Sequence, residues 1–186
     1  MYTNCINYEC TDTLPDHSTN NCNQGLLGGI SAVVLLECNT QLTDPSDAAD
    51  VANEISNGRA KKLVSVKIGF DQPTPKETES FIVGGTAQLN TYERSGTLKD
   101  GNVNENNNSL YSLLFAGRQF GGAIFYVKGS EQGNQGAKIF FVNSAITFTG
   151  GLPVKDNNDE NMIYNGSFKW LSLDSPQLLP APPGIF

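Results

Sequence analysis

Lys138-Ile-Phe-Phe-Val-Asn-Ser-Ala-Ile-Thr-Phe-Thr149 alternates in the manner of a β-strand. Phe140, Val142, Ile146 and Phe148 fall on one side of an extended chain, because successive side chains of a strand point to opposite faces. The same period of two recurs on both sides of this stretch. Met162 to Leu173 places Tyr164, Phe168 and Trp170 on one side, with Ile163, Leu171 and Leu173 on the other. Upstream, Val64, Val66, Ile68 and Phe70 share one face, opposite Ser65, Lys67 and Gly69. Ala123 to Lys128 is apolar on both faces, which predicts a central strand. Ile30 to Glu37 reads as a short buried strand. A further strand is expected from about Thr78 to Tyr92, with Gly84-Gly85 marking a bulge or a close backbone approach.

Between the strands the punctuation changes. Asp71 to Lys76 holds two prolines and reads as a loop, and residues 99–108 form a second, polar one. Gly129 to Gly136 is short and glycine-rich, as in a hairpin. Gly150 to Asn161 is longer and more acidic. The spacing of Ala48, Val51, Ala52 and Ile55 predicts a helix over 45–57, with Asp44 as cap, Pro45 at the first helical position, Asp47 in the first turn and Gly58 as stop. Its small apolar face places it on a surface. A second short helix is expected to start from Asn108 or Ser109, with Leu110, Leu113 and Leu114 at helical spacing and Gly117 as stop.

These signals predict a mainly β fold: a sandwich- or barrel-like single domain with one or two short flanking helices and extended terminal arms. Residues 1–29 read as an irregular N-terminal arm, 30–175 as the β-rich core and 176–186 as a Pro-rich extended tail, which can be neither helix nor central strand. Leu178, Leu179, Ile185 and Phe186 lack a local core, so the tail is expected to flap or to dock on something.

The 186 residues suit one domain. Only 17% are charged, so the polar surface comes from Asn, Gln, Ser, Thr and Gly, which favours strands and loops over a helical bundle. Twelve basic residues face 19 acidic ones, for a formal charge of -7, and no basic run exceeds Lys61-Lys62. That balance argues against gripping nucleic acid, which needs a basic stripe that releases counterions. It fits a surface past which DNA slides, and equally fits simple solubility. No stretch reaches the length of a membrane span, and Met1-Tyr2-Thr3-Asn4-Cys5 lacks the features of a secretory signal, so synthesis in the cytosol is expected.

Chemistry-bearing residues are few. His17 is the single histidine and lies in the irregular arm. Cys5, Cys10, Cys22 and Cys38 are separated by four, eleven and fifteen residues, without paired Cys-x-x-Cys knuckles. Structural zinc, disulfides and free thiols all remain open, with Cys38 expected at a buried strand end under the last reading. Asp100-Gly-Asn102-Val-Asn104 and Asp156-Asn-Asn-Asp159-Glu160 faintly resemble calcium loops but lack the sixth-position Gly and twelfth-position Glu of that motif. Glu77, Glu79, Glu93 and Asp174 are candidate paired carboxylates, though nothing in the sequence brings two of them together. No nucleotide, hydrolase or zinc-protease motif occurs. The expectation is a protein that is not an enzyme, with no cofactor and no catalytic, cofactor-binding or metal residue. A glycan-binding module using Tyr92, Tyr126 or Trp170 is the rival, with Trp170 better placed in a core.

From Leu63 to Leu173, a little over half of the chain, the order of elements is two long strands, a short helix and three strands. Asn108 to Gly117 is followed by Gly121-Gly-Ala-Ile-Phe-Tyr-Val127, then Val142-Asn-Ser-Ala-Ile-Thr-Phe148 and Tyr164-Asn-Gly-Ser-Phe-Lys-Trp170. This resembles the tail tube proteins of long-tailed bacteriophages. The resemblance implies a homo-oligomeric ring, expected to be hexameric, that stacks with others and joins other virion proteins. Strands of neighbours would close a barrel, and DNA would pass an acidic lumen without specific binding. It implies assembly in the host cytoplasm and residence in the virion, with no membrane and no small-molecule substrate. The Cys-bearing arm, the helix near 45–57 and the Pro-rich tail depart from the pattern and leave a neck, head-decoration or other tail protein open.

Overall fold

A computed structural model describes residues 29–78, 88–128, 136–154 and 161–186. The stretch Lys138–Thr149 is extended, but it breaks in the middle into β7 (Lys138–Val142) and β8 (Ile146–Gly151). Its partner breaks at the same level into β5 (Ala116–Phe120) and β6 (Gly122–Val127). β6 pairs with β7 from Ala123 opposite Val142, and β5 pairs with β8 from Phe120 opposite Ile146. These four strands are therefore one antiparallel ribbon with a corner. The corner needs small residues: a Cβ on Gly122 would lie 2.6 Å from the Val142 carbonyl oxygen.

The other described elements are β1 (Ile30–Leu36), α1 (Ala48–Ser56), β2 (Ala60–Phe70), β3 (Thr74–Thr78), β4 (Gln88–Asp100), α2 (Glu105–Leu114), β9 (Tyr164–Ser172) and β10 (Gln177–Pro180). The sheet runs β10-β7-β6-β1-β2-β4-β9-β8-β5, with β3 added to β4, and every described pairing is antiparallel. β6 lies near one end of this path and β5 at the other, yet Gly121 alone joins them. The sheet must curl until its ends meet, which makes it barrel-like. The fold is mainly β and a single domain, as the sequence predicts.

Curling buries the inward face. Leu35, Leu63, Ile68, Leu98, Phe125, Phe148, Phe168 and Trp170 form one cluster, joined by Tyr111 and Leu114 of α2. Phe70 meets Phe125 edge-on at 4.9 Å, and Phe125 stacks on Phe168 at 5.4 Å. Each such ring contributes about 1.5–3 kcal/mol by leaving water. A second cluster lies on the outer face of β1, β6 and β7: Val34, Leu36, Ile124 and Ile139, covered by Val51 of α1 and Ile185 of the tail. Burial on both faces explains why β1 and β6 show no alternation.

Several local expectations change. α1 is capped by Asp47, whose side chain accepts the Ala49 N–H at 2.9 Å, so Pro45 precedes the helix. Asp44 instead accepts the Ser46 N–H and hydroxyl in the turn before it. In β2, Ser65 has φ +60, and the register with β1 shifts between Ile30 and Ala32. That bulge turns Leu63 inward and leaves Val64 51% exposed, reversing its expected face. The loop expected over 71–76 ends early because Thr74–Thr78 is strand β3. Pro75 is tolerated there, since β3 pairs on one side only. β4 extends to Asp100 and shortens the next loop. α2 begins at Glu105, with Asn104 accepting the Asn107 N–H at 2.9 Å. Gly84-Gly85 lie outside the described residues.

The C-terminal tail is extended but not idle. β10 pairs with β7, the Ala181 N–H donates to the Ala137 carbonyl, and Phe186 stacks on Tyr126 at 4.6 Å. Lys62 Nζ donates to the Ile185 carbonyl. The apolar end that lacks a local core finds one on its own body.

Candidate assembly surfaces

The bent ribbon leaves a seam in the curled sheet. β5, just before Gly121, pairs with β8 and not with β1, and the start of β2 borders the opening. Arg118 of β5 bridges to Glu37, just after β1, at 2.7 Å. Its guanidinium also lies 5.4 Å from the centre of the Phe120 ring. α2 flanks the opening. A groove of about 390 Å³ results, with Leu35, Ile55, Leu110, Leu113 and Phe120 among its walls and Lys61 and Lys62 among its charged lining. The apolar residues of α2 are Leu110, Tyr111, Leu113 and Leu114. The core takes Tyr111 and Leu114, one helical turn apart. Leu110 is left half-buried and Leu113 64% exposed.

A second surface is the outer face of β2, β4, β9 and β8. Its register sets Lys67 beside Lys99 and Asn165, Thr97 beside Ser167 and Thr149, and Ser95 beside Lys169 and Thr147. Ser167 and Thr149 hydroxyls lie 3.1 Å apart. Lys67, Lys99 and Lys169 form no ion pair among the described residues. This face is basic although the chain is acidic. Acidic groups gather instead before and in the first turn of α1, at Asp44, Asp47 and Asp50. Among the described residues, the sheet edges left open at β3 and β10 carry Pro75 and Pro180, residues that blunt strand addition.

The buried carboxylates Glu54 and Asp100 are tied to the fold. Glu54 of α1 takes the Arg59 Nε at 2.8 Å and Nη2 at 2.5 Å, and accepts the Gln41 N–H at 3.1 Å. The Arg59 hydrogen bonds hold its carboxyl down to about 2 against the opposing effect of burial. The same bonds raise Arg59. Hydrogen bonds from Ser46, its hydroxyl first, lower Asp44. Tyr111 donates to Asp100 at 2.7 Å, and burial followed by that contact pushes its phenol well above the usual range.

Among the described residues the sequence candidates do not converge. Glu93 faces Lys76 at 3.6 Å, Asp174 follows β9 and is exposed, and Glu79 lies outside the described residues. Asp100 spends its carboxylate on Tyr111 and the Asn102 N–H, closing a turn. Asp156-Asn-Asn-Asp159-Glu160, His17, Cys5, Cys10 and Cys22 also lie outside the described residues. Cys38 is exposed in a turn, not buried at a strand end, because β1 stops at Leu36. Trp170 is buried, Tyr126 lies under Phe186 and Tyr92 is half-buried beside Arg94, so the three make no common platform. Sequence reasoning missed the seam, whose only signal was a surplus of leucines on α2 beyond what one helix face can bury. No family model, no curated protein and no solved structure matches this chain.

Proposed function

We propose that this chain is a structural subunit of a phage particle that works by assembling with its own copies, as a tail tube protein or a related virion component. The seam groove carries the reading. A second copy lying over Leu110 and Leu113 removes apolar surface from water, at about 25 cal/mol per Å². The order of strands and helix from Leu63 to Leu173 supports the tail tube among virion parts. Because the C-terminal tail covers its own body, the groove is the apolar surface left for contact between copies among the described residues. In such a ring the lysine-bearing face lies away from the conduit, since lysines lining a lumen hold phosphates by counterion release.

Negative-stain microscopy of the concentrated protein tests this reading. Rings or tubes with a central hole are the expected result. Sedimentation of a strict monomer at the same concentration overturns it.

A further inference from the structure

Arg94 sits on the inward side of β4, directly opposite Trp170 of β9, and is only 9% exposed. Its Nε–H is buried without a hydrogen-bond partner. Its Nη2 donates to the Ser175 hydroxyl at a long 3.4 Å, and its guanidinium lies 5.6 Å from the centre of the Tyr92 ring. No described carboxylate pairs with it: the ion pairs join Glu54 to Arg59, Glu93 to Lys76 and Glu37 to Arg118. A cation this far from water is costly unless it is paired and hydrogen-bonded. Ser175 also lines a polar recess of about 170 Å³, together with Asn143, Ser144, Asp174 and Trp170. Arg94 is not itself part of the lining and meets the recess through Ser175, while Asn143 and Ser144 of the ribbon corner bring amide and hydroxyl groups to it.

We propose that Arg94 anchors a small-oxyanion site at this end of the barrel, taking phosphate or a carboxylate. A guanidinium offers parallel N–H donors matched to two oxygens of such a group, and the Ser175 hydroxyl supplies a third donor. The carboxylate can come from a free acid or from an acidic side chain of a second copy. Asp174 borders the recess and disfavours the anion, which limits affinity and gives the site a handle.

Trp170 is the only tryptophan and lines the recess, so its emission reports on occupancy. The dilute chain is titrated with sodium phosphate, and separately with sodium acetate, at constant ionic strength set by sodium chloride. A saturable emission change with an oxyanion and none with chloride alone is expected. Arg94→Met weakens it about tenfold or more, and Asp174→Asn strengthens it. If Arg94→Met does not fold, Arg94→Lys carries the test, because lysine keeps the charge and loses the fork. A change that chloride reproduces, or that these Arg94 variants leave untouched, overturns the site. Where copies assemble, saturating phosphate dissociates them if a neighbour's carboxylate fills the site and leaves them intact if the ligand is a free anion. The titration of dilute chain does not depend on assembly, so the site and the assembly reading fail separately.

Discussion

The phenol of Tyr111 donates to Asp100 Oδ2 across 2.7 Å at a point where neither residue meets solvent. Asp100 Oδ1 accepts the Asn102 N–H at 2.8 Å, so one carboxylate ends β4, closes the turn and clamps α2. Tyr111 also stacks on Tyr164 at 4.3 Å. Tyr111→Phe keeps the stack and strips Asp100 of its buried donor. It is expected to destabilise the fold by about 1–3 kcal/mol, the cost of leaving a buried polar group unpaired, read as a lower urea midpoint.

The same pair sets an alkaline limit. Burial, and then the hydrogen bond to Asp100, raises Tyr111 far above its ordinary 10.0. The unfolded phenol loses its proton near that ordinary value while the folded one keeps it, so the folded state binds more protons above pH 10. Its contribution is complete below pH 10 and is lost as pH rises beyond. Urea midpoints are expected to fall more steeply above pH 10 in the native chain than in Tyr111→Phe. Equal slopes in the two proteins refute the assignment.

Glu54 sets the acid limit with the opposite sign. Its carboxyl is held at about 2, below its ordinary 4.5, chiefly by hydrogen bonds from Arg59. The contribution is complete above pH 4.5 and disappears as pH falls towards 2, because the unfolded state takes up the proton first. Glu54→Gln is expected to flatten the fall of the urea midpoint between pH 5 and pH 2. An unchanged acid limb shows that other carboxylates dominate it.

Much of this fold is legible in the sequence because burial on one face writes a period of two into the chain, as at Phe140, Val142, Ile146 and Phe148. What stays hidden is where that period breaks. Ser65 interrupts β2 with a positive φ, and nothing about a serine announces it. Asn143-Ser-Ala145 bends a run that reads as one strand, because a corner is set by the curl of the whole sheet and not by local propensity. The docking of Ile185 and Phe186 depends on an outer face of β1, β6 and β7 that exists only once those strands are paired. Arg94 reads as an ordinary strand residue, since its burial follows from lying opposite Trp170. The groove was legible only in part: Leu110, Leu113 and Leu114 stand out together, but Tyr111 takes the core position and leaves Leu113 outside.

Gly96 tests how tightly the curled sheet is packed. A Cβ there would lie 2.3 Å from the Gly69 carbonyl oxygen and 2.5 Å from the Phe168 ring. Gly96→Ala is expected to destabilise by about 1–3 kcal/mol through overpacking. Gly101→Ala serves as control, because nothing lies within 4 Å of its Cβ position. It is expected to be neutral or slightly stabilising by stiffening the unfolded chain. Equal chemical-denaturation midpoints for the two variants contradict the packing described for β4 and β9.

Leu113 separates folding from assembly. At 64% exposure it adds little to the core, while its place on the groove wall puts it at the centre of the proposed contact between copies. Leu113→Glu is therefore expected to leave the urea midpoint of the dilute chain within about 0.5 kcal/mol of native, as for most surface changes. It sets a carboxylate against apolar surface in the joint, and an unpaired charge buried there is costly. Rings or tubes should vanish from micrographs while the monomer stays folded. If Leu113→Glu still assembles as the native chain does, the seam groove is not the joint. If it loses the fold instead, Leu113 belongs to the core after all, and the groove loses its claim as a free surface.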